Sequence, residues 1–178
     1  MQKLIGFTLI IGAMALSLSA QAADGSGGPT RFSAPLVSYQ EVPAVSAASG
    51  GAITIVIDDA AQTIAYRLSY DGLEGAVRMA HIHIAQPGVN GGVMLWLCGT
   101  VGGFAGPAGT PKCPASGEVT GMLVPAGVQA VSAQGIPVGA FEEAVAAIRE
   151  GVAYANVHSE AFAGGEIRGQ LRPGGGHK

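Results

Sequence analysis

Ile53, Ile55 and Ile57 fall on alternate positions, and after the polar stretch 58–62 so do Ile64, Tyr66, Leu68 and Tyr70, interleaved with Ala65, Arg67 and Ser69. Side chains two residues apart on a β-strand share a face, so this pattern predicts a hairpin with one apolar inner surface. No helix can satisfy the same spacing. A chain committed to that arrangement must bury the surface against further strands, because a two-stranded hairpin alone is marginal in water.

The rest of the sequence supplies such strands. Phe32 to Tyr39, Val77 to Ala85, Val93 to Cys98, Glu118 to Val124, Val152 to Val157 and Glu166 to Leu171 read as short strands, and Pro87-Gly88, Asn90-Gly91 and Gly164-Gly165 read as the turns between them. Helical spacing occurs once: Phe141, Ala144, Val145 and Ile148 lie on one helical face before Gly151, predicting an amphipathic helix from Val138 to Glu150. Composition agrees. With 29 Gly and 10 Pro among 178 residues, and only 12% charged, the chain is unsuited to a coiled coil, a helical bundle or a charged disordered polymer. An all-β antiparallel β-sandwich with one short helix is the expected architecture.

Residues 1–22 have the make-up of a secretory signal: Lys3, the apolar run Leu4 to Leu16, and small residues at Ala20 and Ala22, after which cleavage is expected. The run is shorter than the roughly 20 residues needed to span a bilayer, so the mature form is expected to have no membrane span. Residues 23–30 read as a flexible leader, 31–173 as one domain and 174–178 as a disordered tail. A secreted or periplasmic location follows. In an oxidising compartment Cys98 and Cys113, bracketing the Gly/Pro-rich stretch 99–112, are expected to form a disulfide. The net charge of −3 comes with no cluster of cations, which argues against a nucleic-acid partner.

Four histidines are present, and His81-Ile82-His83 places two of them on one face of a strand. Ile82 and Ile84 take the opposite face toward the core, which leaves the histidine face as the more polar or rim-facing one. His158 ends the strand Tyr154-Ala155-Asn156-Val157-His158. Three imidazoles suit Cu or Zn, so His81, His83 and His158 are candidate metal ligands. The competing reading is three hydrogen-bonded histidines in a polar layer. His177 in the tail is expected to be idle. The segment from Glu166 through Arg168 and Gln170 reads either as a half-exposed strand with a cross-strand salt bridge or as a polar patch, with Asn156, beside His158. No catalytic fingerprint occurs, and Glu41, Glu118, Glu160 and Glu166 cannot be paired by spacing as an acid/base couple. No catalytic residue is assigned.

Three motifs taken together resemble the CHRD domain, a module named from chordin and found in many bacterial exported proteins. They are Gln40-Glu41-Val42-Pro43 leading into Gly50-Gly51-Ala52-Ile53, Ala80-His81-Ile82-His83 leading into Pro87-Gly88-Val89-Asn90-Gly91-Gly92-Val93, and Tyr154-Ala155-Asn156-Val157-His158-Ser159 leading into Gly164-Gly165-Glu166-Ile167-Arg168-Gly169-Gln170-Leu171. The stretch 99–114 with its cysteine pair is additional to the family pattern, and Ala161-Phe162-Ala163 stands where members often carry a proline. The resemblance implies an immunoglobulin-like or superoxide-dismutase-like sandwich. It also implies that His81, His83, Asn156, His158, Glu166, Arg168 and Gln170 are the family's recurring positions. On this reading the chain is a non-catalytic exported binding or structural module that holds a Cu or Zn ion through three histidines. Its partner is an unidentified extracellular or periplasmic protein or ligand. A superoxide-dismutase-like or other metal-dependent enzyme is the alternative.

Overall fold

The computed structural model describes residues 30–100 and 103–174. The expected export signal, the leader up to residue 29, and His177 lie outside the described residues. Nine antiparallel strands form one sheet: β1 (Arg31–Val37), β2 (Gly50–Asp58), β3 (Thr63–Asp71), β4 (Val77–Ile84), β5 (Gly92–Gly99), β6 (Gly117–Leu123), β7 (Ala153–Ser159), β8 (Ile167–Gln170) and β9 (Arg172–Pro173). Their order is β5-β4-β7-β8-β1-β2-β3-β6, with β9 also pairing β1. The sheet curls into a nearly closed barrel. Its end strands β5 and β6 approach each other, and the Tyr66 hydroxyl on β3 donates to the Leu97 carbonyl on β5.

The alternation in the sequence sets the register. Ile53 pairs with Leu68, Ile55 with Tyr66 and Ile57 with Ile64, and all six side chains are buried. With Phe32, Leu36, Ile82 and Leu97 they form the core, each such burial contributing about 1.5–3 kcal/mol. The barrel has a narrow waist where β8 meets β1, paired only at Val37 and Arg168. There the backbone of Gly169 lies so close to the Pro35 carbonyl that a Cβ would stand 2.1 Å from its oxygen.

The helix α1 runs Phe141–Arg149 and buries Phe141, Ala144, Val145 and Ile148 as the spacing predicts. It starts three residues later than expected, because Gly139 adopts φ 78° and Ala140 donates to the Pro137 carbonyl, closing a turn that precludes helix at Val138. Its end is a left-handed glycine cap: Gly151 has φ 71°, its N–H meets the Ile148 carbonyl, and the Val152 N–H meets that of Ala147. Two strand ends also differ from expectation. The first strand stops at Val37 in a 3-10 turn, and the last is split at Leu171, whose N–H turns to the Ala153 carbonyl. The disulfide Cys98–Cys113 is formed and closes a loop of sequence separation 15. No helix among the described residues is long and apolar enough to cross a membrane.

β7 is buried along its whole length. Lying between β4 and β8, it gives Ala153, Ala155 and Val157 to the core, while Tyr154, Asn156 and His158 point to the opposite side. That side is covered by loops rather than water.

Candidate metal centre

Three cross-strand rows build the centre. Met79, His81 and His83 share one face of β4, and β7 sets His158, Asn156 and Tyr154 directly opposite them. On the far side of β4, Trp96 of β5 faces His81; on the far side of β7, Arg168 and Gln170 of β8 face Asn156 and Tyr154. The three imidazoles expected from the sequence therefore converge. One ring nitrogen from each lies within 4.8 Å of the other two. A single point thus exists within about 2.8 Å of all three nitrogens, against the 2.0–2.1 Å of a metal–imidazole bond.

The histidine face is the more polar one, as expected, but it is buried and does not lie at a rim. His81 is 2% exposed, His158 6% and His83 7%. Its cover comes from segments distant in sequence. The Gly91 carbonyl lies 2.9 Å from His83 Nδ1 and the Ala163 carbonyl 3.0 Å from His158 Nδ1. A carbonyl can only accept, so both rings carry their proton on Nδ1 and present the Nε2 lone pair to the interior. His83 Nε2 has no hydrogen-bond partner, nor does His81 Nε2, while His81 Nδ1 is 3.3 Å from His158 Nε2. Burial, reinforced by the neighbouring histidines, holds His81 down to about 2, and burial likewise lowers His158 to about 4 against the pull of the Ala163 carbonyl. His83 is also lowered, again by burial. All three are neutral at pH 7, the form that ligates metals.

Around the imidazoles stands an ordered set of polar and aromatic groups. The Trp96 ring meets His81 edge-on at 4.2 Å, and Tyr154 stacks on His83 at 4.7 Å with 5° between planes. Arg168, 2% exposed, places its guanidinium 3.4 Å from the Tyr154 ring centre and donates to Asn90 Oδ1 and the Val89 carbonyl. Asn156 Oδ1 is 3.0 Å from His158 Nε2, and with the His158 proton on Nδ1 these are two acceptors face to face, a contact that a cation between them would relieve. Glu166 is fully buried, with Oε1 accepting from the Glu74 N–H, and Gln170 ties down the Ala85 and Gly151 carbonyls. The segment is thus a buried polar layer and not a half-exposed strand, and among the described residues no carboxylate lies within ion-pair distance of Arg168.

Sequence reasoning did not single out Glu41, Tyr154, Trp96, Asn90 or Met79 as parts of this centre. Glu41 is 5% exposed, and burial pushes its carboxyl up to about 7 although Arg168 and the Val42 N–H oppose this. Gly165, at φ 128°, leaves it room: a Cβ there would stand 2.6 Å from Glu41 Oε1 and 2.8 Å from Asn156 Nδ2. The alternation Tyr154, Asn156, His158 carried a signal for Tyr154. Trp96 and Met79 required the register of β4.

A protein-family model described as CHRD domain matches residues 32–171. No curated protein and no solved structure matches the chain.

Proposed function

The chain belongs to the CHRD domain family, and from that membership and the convergence of His81, His83 and His158 we propose that it is a non-catalytic binding module whose core site holds one Cu or Zn ion. The observation that carries this reading is the pair of carbonyl-fixed rings, His83 and His158, whose Nε2 lone pairs point inward beside the unpartnered nitrogen of His81. A buried polar atom without a partner costs about 1–3 kcal/mol, and a metal ion would satisfy two at once, His81 Nε2 and His83 Nε2. The donor set is pure imidazole, which suits Cu and Zn better than Mg or Ca.

Enclosure favours holding over turnover. With the ligands 2–7% exposed, a substrate reaches the ion only if the covering loops move. The two halves of the sheet, β5-β4-β7-β8 and β1-β2-β3-β6 with β9 beside β1, joined at the β8–β1 waist, support reading the barrel as a superoxide-dismutase-like sandwich. The signal-like residues 1–22 and the Cys98–Cys113 disulfide support secretion or a periplasmic location, where the partner would be a protein or ligand of that compartment.

The test is metal content and titration of the full chain against the His81→Ala/His83→Ala variant. One equivalent of Cu or Zn bound by the wild type and lost in the variant is the expected result; equal, negligible uptake by both ends the reading. Turnover of superoxide at enzymatic rates by the loaded protein would overturn its non-catalytic part.

A further inference from the structure

We infer that the centre selects copper in its cuprous form, with the Met79 thioether as fourth donor and Trp96 as its apolar wall, an inference that rests on the three-imidazole reading above.

Two positions are flanked by two of the ligands, Asn156 and Met79, and of these Met79 carries the soft donor. It stands directly opposite His158 on β7 and two residues before His81 on the same face of β4. Directly opposed residues on antiparallel strands have Cβ atoms about 4.5–5.5 Å apart, and the three rotatable bonds of methionine let the sulfur cover that distance. Met79 itself is only partly exposed.

The charge of the surroundings decides the valence. Among the described residues, no Asp, Glu or Cys joins the three histidines, and both cysteines are committed to the disulfide. Of the two buried carboxylates in this layer, Glu166 accepts the Glu74 N–H and Glu41 lies beside Asn156 in the field of the Arg168 cation; neither joins the histidines. The donors are therefore all neutral. Desolvating an ion scales with the square of its charge, so a divalent ion in this enclosure costs about four times as much as a monovalent one with no anionic ligand to offset it. A thioether beside imidazoles is a soft donor set that favours Cu(I). Trp96, edge-on to His81 at 4.2 Å, presents carbon where Zn(II) or Cu(II) would draw water or an anion as a further ligand.

The experiment titrates the full-length apoprotein anaerobically with Cu(I), kept reduced by ascorbate, which spares the disulfide, against a chromogenic Cu(I) chelator, and separately with Zn(II). Wild type and Met79→Leu are compared, with emission from Trp96, the chain's one tryptophan, as a second readout. Expected are Cu(I) bound at least about 100-fold more tightly than Zn(II), quenching complete at one equivalent, and a loss of about tenfold or more in Cu(I) affinity in Met79→Leu with Zn(II) unchanged. X-ray absorption of the wild-type Cu(I) complex, which does not depend on any variant folding, should show one sulfur scatterer at about 2.3 Å. Zn(II) bound as tightly as Cu(I), an unchanged Cu(I) affinity in Met79→Leu, or no sulfur scatterer would overturn the inference and leave the three-histidine site standing. Uptake of neither metal would remove that site itself.

Discussion

The imidazole of His83 lies flat on the phenol ring of Tyr154, 4.7 Å between centroids, while the guanidinium of Arg168 sits 3.4 Å from the centre of the same ring. One aromatic side chain therefore fixes the plane of a ligand and holds a buried cation that has no carboxylate within ion-pair distance among the described residues. Tyr154→Phe keeps both contacts and loses only the 3.3 Å bond from the Gly91 N–H, so it should cost under about 1 kcal/mol. Tyr154→Leu removes the stack and the cation–π contact and should cost about 2–4 kcal/mol and weaken metal uptake. Urea unfolding and metal titration of the two variants check this; equal effects would show that the ring's π face does not matter.

Gly165 should tolerate no side chain. At φ 128° an L-residue is strained, and the added methyl would meet Glu41 Oε1 at 2.6 Å and Asn156 Nδ2 at 2.8 Å. Gly165→Ala is expected to lose about 2–4 kcal/mol from strain and clash together. Gly164→Ala next to it is the control, since nothing lies within 4 Å of its Cβ position. Comparable unfolding midpoints for the two variants would contradict the close approach.

Most of the fold was legible because the alternation of Ile53 through Tyr70 is local and strict, and each strand between Phe32 and Leu171 sits within about two residues of its expected place. The three ligands were legible for the same reason: period two put His81 and His83 on one face, and His158 ended a strand of the same type. What the sequence hid is non-local. Whether that face is open or covered depends on the Gly91 and Ala163 carbonyls, on Glu41 arriving from the segment after β1, and on the stapled loop over Trp96. None of these is set by spacing. The burial of Arg168 was hidden too, because its neutral partners Asn90 and Val89 lie in what read only as a hairpin turn.

The disulfide should matter more to stability than to the imidazoles. Opening a 15-residue closure costs about 3 kcal/mol in the chain-entropy picture. The loop it restrains packs on the indole, since a Cβ on Gly106 would stand 2.7 Å from a Trp96 ring carbon. The ligands themselves come from β4 and β7, outside that loop. Replacing Cys98 and Cys113 by Ser should lower the unfolding midpoint and shift Trp96 emission to the red, while metal stoichiometry stays at one. An unshifted midpoint would mean that the loop holds its place without the bond.

Acid should destabilise the metal-free protein, with Glu41 holding down the slope. His81 and His158 titrate near 6.5 when unfolded but near 2 and 4 when folded, so as pH falls below about 6.5 the unfolded chain gains two protons that the folded chain refuses, and stability drops. Glu41 acts with the opposite sign: raised from 4.5 to about 7, its contribution is complete below about 4.5 and is lost as pH rises through 7. Between about 6 and 4.5 the three leave a net difference of roughly one proton, or about 1.4 kcal/mol per pH unit; below 4.5 Glu41 drops out, but His158 takes up its folded-state proton near 4, so the slope stays close to that value. His83, also lowered, adds to the acid side. Urea midpoints measured from pH 7 to 4 should therefore fall steadily below about 6. Glu41→Gln should nearly double the slope between about 6 and 4.5. A midpoint flat across that range would mean that the imidazoles take up protons in the folded state and are not enclosed as neutral rings.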